Sequence, residues 1–246
     1  MPIQPTPATV DPGPAGDFRW KGLNFKRRRG GGGPSNAAAW EPNNVIGPDR
    51  HGSVTLRISN PTGTRPRASE MVSTAKGMGY GTYALTVGTN LAIMHDNLVF
   101  GGLFTYDGSQ AAHMSHNEIE VCETSSWGKG APVMLDYTYF SDNPDTKSSV
   151  GIGHVVVRQP VSRDAVQTHM MRWEAGKITW WSWIGSDVTH KPFRSGRTTA
   201  DVPIPQDERI TMNLWDFGAG GAAMPRFEVI LRDFSFVPLG EEIAAP

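Results

Sequence analysis

Hydrophobic and polar residues alternate with a period of two through much of the chain after residue 53, as at Val54, Leu56 and Ile58. On a β-strand, this alternation places apolar side chains on one face and polar side chains on the other. No long segment shows the 3.6-residue period of an amphipathic helix. Further strand-like runs cover residues 80–87, 98–106, 133–140, 153–158, 168–174, 178–184, 209–215 and 226–237.

Turn-forming residues separate nearly all of these runs, for example at 60–63 (NPTG) and 142–145 (DNPD). The residues at 174–177 (EAGK) predict a short β-hairpin between two of the runs. Many short strands joined by frequent turns are typical of a β-sandwich or jelly roll. The pattern therefore predicts an all-β fold.

Composition limits the domain organisation and the class of function. The length of 246 residues is one that all-β sandwiches often use for a single domain. The 23 Lys+Arg residues balance 24 Asp+Glu residues, which argues against nucleic-acid binding and a polybasic membrane anchor. No apolar run approaches the ~18 residues of a membrane-spanning helix. We expect one domain at 18–240 and a short tail at 241–246.

The N-terminal residues 1–17 are rich in proline and lack apolar periodicity, so we expect an extended arm that a protein partner could hold. No basic region followed by an apolar region indicates a secretory signal. An extracellular or cell-surface location is our first expectation, with a virion-associated or cytoplasmic location as the alternative. The basic stretch at 26–29 (KRRR) precedes four glycines, and we interpret it as a solvated, flexible loop.

Three of the ten glutamates lie at 118–123 (EIEVCE). Glu118 and Glu120 are two residues apart and share one face of a strand, whereas strict alternation would turn Glu123 to the apolar face. A β-bulge at 121–122 would add one residue and return Glu123 to the acidic face. The pattern thus predicts three carboxyl groups on one side of a bulged strand, although it is also an ordinary pattern for a solvated sheet face.

Paired carboxyl groups can cleave a glycosidic bond with retention of configuration if they lie about 5–5.5 Å apart. Glu118 and Glu123 could reach this separation if their side chains lean together. Glu120 would lie between them, and its negative charge would help to keep one neighbour protonated.

The segment 118–123 resembles the E-x-D-x-x-E signature of glycoside hydrolase family 16 in its β-bulged form. Segments 79–87 (GYGTYALTV) and 212–215 (MNLW) are also similar to the family, and the resemblance spans roughly residues 18–238. It implies a concanavalin A-like jelly roll of two curved antiparallel sheets. In that fold, a groove on the concave face holds extended polysaccharides, mainly β-glucans and galactans.

The resemblance also implies roles for the three acids: Glu118 as nucleophile, Glu120 as assisting acid and Glu123 as general acid/base. The family normally has Asp at the middle position, so Glu120 is one methylene longer. This departure, together with the missing signal and the Pro-rich arm, leaves an alternative from another class. That alternative is a non-catalytic carbohydrate-binding or structural jelly roll in a larger assembly, such as a phage virion or a cell-surface layer.

Aromatic rings can stack on the apolar faces of sugars, so the tryptophans near the acidic strand are candidate subsites. We expect Trp127 to contact the substrate, and Trp40 and Trp181 are the next candidates. The histidines His113 and His116 are expected to flank the groove. The expected partner is a polysaccharide, with no nucleic acid and no membrane.

A metal site is a minor alternative, because His116, Glu118 and Glu120 would face the same way on a strand. Their spacing matches no metal-binding pattern that we can name, so we expect no catalytic metal and no cofactor. A structural calcium ion is the one alternative. Cys122 is the single cysteine. We expect a small buried thiol there rather than a nucleophile.

Overall fold

A computed structural model describes residues 16–31, 34, 39–60, 66–109, 116–141, 152–217 and 224–241. Most of the predicted arm, 1–17, and of the predicted tail, 241–246, lies outside these residues, so both stay predictions. In the described part, no helix is both long enough and apolar enough to cross a membrane.

The secondary structure of the described residues consists of seventeen β-strands and two short 3-10 helices, Pro42–Asn44 and Leu91–Ile93. The strands are β1 (Phe18–Trp20), β2 (Leu23–Arg27), β3 (Ala39–Trp40), β4 (Val45–Ile46), β5 (Val54–Asn60), β6 (Arg67–Ser73), β7 (Gly81–Val87), β8 (Leu98–Phe100), β9 (Phe104–Tyr106), β10 (Ile119–Ser125), β11 (Met134–Ser141), β12 (Ile152–Pro160), β13 (Gln167–Glu174), β14 (Lys177–Ile184), β15 (Arg194–Thr198), β16 (Arg209–Asp216) and β17 (Met224–Pro238).

These strands pair into two antiparallel sheets. The front sheet runs β1–β2–β6–β16, continues through the short strands β8 and β9, and ends with β10–β11–β12. The back sheet runs β4–β5–β17–β7–β13–β14–β15. The short β3 adds a parallel pairing with β6. The predicted all-β jelly-roll sandwich is confirmed.

The core lies between the two sheets and is filled by apolar and aromatic side chains. Val54, Leu56 and Ile58 are fully buried, as their alternation predicts. Trp173 and Trp180 from the back sheet are fully buried as well. Burial of one such large side chain contributes about 1.5–3 kcal/mol, so this layer is the main source of stability.

Most predicted strands are present within a residue or two of their expected bounds, and the hairpin pairs Glu174 with Lys177. The predicted run 98–106 is divided into β8 and β9. Gly102 lies in the break with a φ of +57°, and a Cβ there would lie 2.4 Å from the sulfur of Cys122. Glycine is therefore required where this connection crosses the acidic strand.

The basic stretch 26–29 is not the flexible loop that its composition suggests. Its first two residues belong to β2, and the Arg27 side chain is buried. Arg27 donates hydrogen bonds to the carbonyl oxygens of Val45 at 3.0 Å and Gly47 at 3.1 Å, and it stacks on the ring of Phe18. The interpretation as a solvated loop is wrong, because the guanidinium group finds acceptors that lie far away in the sequence.

Candidate active site

The acidic strand β10 contains a β-bulge. Glu120 pairs with Thr138 and Glu123 pairs with Asp136, so that two residues of β10 oppose the single Tyr137 of β11. The predicted bulge is therefore confirmed at its predicted position. It turns the third glutamate to the same face as the first two.

Contacts within the front sheet and from the back sheet hold the bulge in place. The amide of Val121 donates a hydrogen bond of 2.8 Å to the carbonyl oxygen of Leu103, in the connection between β8 and β9. From the back sheet, the indole nitrogen of Trp180 donates a hydrogen bond of 2.9 Å to the carbonyl oxygen of Glu120. The Trp180 ring also stacks on Tyr137 with an interplanar angle of 6°. The backbone that carries the glutamates is thus fixed by buried contacts.

A cavity of about 930 Å³ lies on the outer face of the front sheet, and we call it the groove. Glu118, Glu120 and Glu123 all line it, together with Trp127 and His116. The structure therefore gathers all three candidate acids and two of the candidate substrate-binding residues. Other lining residues are Arg28, Glu70, Tyr106, Arg209, Asn213 and Trp215.

The carboxyl groups of Glu118 and Glu120 interact directly. Burial raises the pKa of Glu118 to about 7, while a hydrogen bond with Glu120 and the charge of His116 limit the rise. Burial and the charges of Glu123 and Glu118 raise the pKa of Glu120 well above its usual value. Glu120 is only 4% exposed. The hydrogen bond between them lowers the pKa of Glu118 and raises that of Glu120, so it favours the ionised form of Glu118 that a nucleophile needs.

Glu123 lies in a different electrostatic environment. Burial raises its pKa to about 8, the charges of Asp136 and Glu118 contribute to the rise, and Arg158 opposes it. Asp136 therefore adds a negative charge beside Glu123, whereas Glu118 has the hydrogen bond from Glu120 and the charge of His116. Two neighbouring carboxyl groups in different environments can take the roles of acid and nucleophile.

Trp127 follows β10 and lines the groove, as expected from its position in the sequence. Its ring packs edge-on against Phe217 at 5.0 Å and Trp215 at 6.2 Å. The backbone amide of Trp127 donates a hydrogen bond to the hydroxyl of Ser125 at 2.9 Å. Its buried indole nitrogen has no hydrogen-bond partner in the described part of the chain.

The other two tryptophan candidates do not reach the groove. Trp40 is 2% exposed and is covered by the guanidinium group of Arg28, whose central carbon lies 4.5 Å from the ring centre. The prediction that Trp40 stacks on a sugar is therefore wrong. Trp181 is on β14 of the back sheet, next to the inward-facing Trp180, so it lies on the outer surface and stacks on Trp183. Its predicted place in the groove is also wrong.

Of the two candidate histidines, His116 stacks on Tyr106 with ring centres 5.0 Å apart. Its Nδ1 lies 3.0 Å from the carbonyl oxygen of Asp107. His113 lies outside the described residues, so its role stays a prediction. Among the residues that the structure describes, no group of three or more His, Cys, Asp or Glu side chains is arranged to hold a metal ion.

The thiol of Cys122 is fully buried, as predicted from the sequence. Burial raises its pKa to about 12. A thiol with this pKa is protonated at neutral pH and cannot act as the nucleophile.

A second polar cluster in the groove is absent from the sequence prediction. Glu70 is buried, and both of its carboxyl oxygens accept hydrogen bonds from Arg28, at 2.9 and 3.1 Å. The side-chain amide of Asn213 donates to the same carboxyl group at 3.2 Å. Burial raises the pKa of Glu70, and the charge of Arg28 opposes the rise. Asn213 lies in the segment 212–215, whose sequence indicates only the family resemblance.

No family model and no curated protein matches this chain, but solved structures do. A prokaryotic β-1,3-1,4-glucanase (lichenase) from a mouse hindgut metagenome is 18% identical with a TM-score of 0.61, covering 87% of this chain and 93% of that chain. A Bacillus licheniformis β-glucanase is 18% identical with a TM-score of 0.61, covering 95% and 99%. A Bacteroides ovatus glycoside hydrolase family 16 protein in complex with a G4G4G3G product is 11% identical with a TM-score of 0.65, covering 93% and 99%. The resemblance to glycoside hydrolase family 16 is thus confirmed at the level of the fold.

Proposed function

We propose that this chain is a retaining, endo-acting glycoside hydrolase of β-linked polysaccharides, either a β-glucan or a galactan. One observation carries the proposal: Glu118, directly before β10, and Glu120 and Glu123, on either side of its bulge, line one groove. The similar solved structures include a lichenase and a β-glucanase, which favours a β-glucan as the first substrate to test.

In the first step, the Glu118 carboxylate attacks the anomeric carbon while Glu123 donates its proton to the glycosidic oxygen. The bond to the leaving sugar breaks, and a covalent glycosyl-enzyme ester forms on Glu118. In the second step, Glu123 accepts a proton from water, and the water oxygen attacks the anomeric carbon. Glu118 leaves as a carboxylate, and both glutamates return to their starting forms.

The charges in the groove fit this change of role. The negative charge of Glu118 contributes to the raised pKa of Glu123. Ester formation removes that charge, so the pKa of Glu123 falls when it must become a base. Glu120 shares a hydrogen bond with Glu118, and we assign it the task of orienting the nucleophile and stabilising it when it leaves.

The test uses Glu118→Gln, which keeps the shape of the side chain and removes its nucleophilic charge. We expect the release of reducing ends from lichenan, laminarin or agarose to fall by about 10³-fold or more. Glu228→Gln is the matched control, since Glu228 lies on β17 of the back sheet and pairs with Arg57. It should leave turnover unchanged.

Unchanged turnover in Glu118→Gln would exclude the proposed role of Glu118. Proton NMR of the first product should show the β-anomer before mutarotation, whereas an initial α-anomer would contradict retention. If the wild-type chain binds a polysaccharide but releases no reducing ends, the non-catalytic carbohydrate-binding alternative is supported instead.

A further inference from the structure

A row of three charged side chains crosses three adjacent strands beside the bulge. Glu123 on β10 pairs with Asp136 on β11, and Asp136 pairs with Arg158 on β12. Directly paired residues of an antiparallel sheet project from the same face, with Cβ atoms about 4.5–5.5 Å apart. The side chain that neighbours Glu123 across the sheet is therefore a second acid, and an arginine follows it.

The contact between Asp136 and Arg158 is a two-point ion pair. The Nε and Nη2 atoms of Arg158 donate to the two carboxyl oxygens of Asp136, each at 2.9 Å. The Asp136 side chain is 0% exposed, whereas the Arg158 side chain is 46% exposed. Because both oxygens are engaged by a planar fork, the buried carboxylate is held in one orientation. Arg158 supplies the partner that a buried charge needs.

Building on the proposed function, we propose that Asp136 and Arg158 are positioning residues for the acid/base Glu123. The Asp136 carboxylate lies beside the Glu123 carboxyl group and favours its protonated form, while Arg158 orients Asp136 and limits this effect. The first chemical step needs a protonated Glu123. A fixed negative neighbour is a direct way to keep it protonated at neutral pH.

Other groups surround Glu123 on its own segment and on the strands that pack against it. Glu120 on the same strand and Glu118 directly before it carry the other acidic charges nearby. On the opposite side, β8 (Leu98–Phe100) is apolar, and β16 contributes Asn213 to the groove. Asp136 and Arg158 are thus the charges on the flanking strands β11 and β12 that act on Glu123, and they act with opposite sign.

Opposite signs allow a test that a merely structural role would not pass. Asp136→Asn removes the negative neighbour and leaves Arg158, so the alkaline limb of the kcat/KM profile should move to lower pH by about 1 unit. Arg158→Gln removes the opposing charge, so the limb should move to higher pH by a smaller amount, because Arg158 is half-exposed and screened by solvent. Arg158→Lys keeps the charge and should restore most of the wild-type profile.

Arg57→Gln is the matched control, since it removes an arginine from an ion pair with Glu228 on the back sheet. It should leave the profile unchanged. The inference is overturned if Asp136→Asn and Arg158→Gln move the limb in the same direction, or if neither moves it. Should Asp136→Asn fail to fold in a thermal melt, the two Arg158 variants at the half-exposed end of the pair decide the question.

A second readout separates this inference from the proposed function. Carbon-13 NMR can follow the titration of the glutamate carboxyl groups in the full chain without substrate, and the Glu123 signal is assigned by its loss in Glu123→Gln. The same opposite shifts are expected in the two variants. Opposite shifts in a chain without hydrolytic activity would support the pair and contradict the hydrolase. Hydrolysis with an unmoved Glu123 titration would overturn the pair alone.

Discussion

The groove contains two groups of carboxyl groups, and they differ in their partners. Glu70 accepts hydrogen bonds from Arg28 and Asn213, so that its charge is balanced inside the wall of the groove. The glutamates of the bulge mainly face one another. One carboxyl oxygen of Glu120 is buried without any hydrogen-bond partner among the described residues.

This contrast separates a carboxyl group with structural partners from the carboxyl groups to which we assign the proposed chemistry. Burial raises the pKa of Glu70 and of the three glutamates alike, but only Glu70 has an arginine in direct contact. Three acids placed together without equal cations destabilise the fold and leave protons that are easily exchanged near neutral pH. Under the proposed function, the bulge is therefore the region where stability is exchanged for reactivity.

The largest effect should follow from removing Glu123, the proposed proton donor on the bulge. Glu123→Gln should lower kcat on polysaccharide by about 10²–10⁴-fold, the range of general acid catalysis. An aryl β-glycoside with a good leaving group needs little protonation, so its cleavage to the covalent intermediate should be much less affected. Burst-phase kinetics with both substrates measure the difference. Equal losses for both substrates would contradict the role of Glu123 as acid.

The next effect compares the two groups by stability. Glu70→Ala leaves Arg28 and Asn213 without their acceptor and should reduce the free energy of unfolding by about 2 kcal/mol. Glu120→Gln removes a buried acid that must take up a proton on folding at pH 8, so it should stabilise the fold at that pH. Urea denaturation of both variants measures these changes. A gain in stability for Glu70→Ala would contradict the structural role that its contacts with Arg28 and Asn213 give to Glu70.

The pH dependence follows from the sign of the shifts. A carboxyl group whose pKa is higher in the folded state binds its proton more tightly there than in the unfolded chain, where its value is about 4.3. Its stabilising effect is full below that pH and is lost as pH rises through the folded values, about 7 for Glu118 and about 8 for Glu123. Wild-type stability should thus decline from pH 5 to pH 8, and Glu120→Gln should decline less. Parallel curves for the wild type and Glu120→Gln would contradict a raised pKa of Glu120 in the folded state.

Local pattern was enough to predict most of the sandwich and the acid cluster. Alternation identifies strands such as β5 because one face packs on the core and the other meets solvent. The bulge follows from the same rule, since Glu123 can join Glu118 only if one residue is inserted. Strand β6 escapes the pattern because Ala68–Met71 are all buried, which removes the alternation.

Contacts between distant segments could not be predicted in this way. The composition of 26–29 predicts a solvated Arg28, but Arg28 binds Glu70, which lies 42 residues further along the chain. The burial of Trp40 and the pairing of Asp136 with Arg158 depend on which strands become neighbours and in which register. Register is set by the whole sheet and is not visible in a short stretch of sequence.

The smallest predicted effect concerns substrate affinity and compares the two faces of the sandwich. Trp127 lines the groove, whereas Trp181 lies on the outer face of the back sheet. Loss of an aromatic contact costs about 0.5–1.5 kcal/mol, so Trp127→Ala should raise KM by about 3–10-fold with a smaller change in kcat. Trp181→Ala should leave KM unchanged. Calorimetric titration of oligosaccharide into each variant, combined with Glu118→Gln, measures affinity without turnover. Equal weakening by both substitutions would show that sugar binding is not confined to the groove.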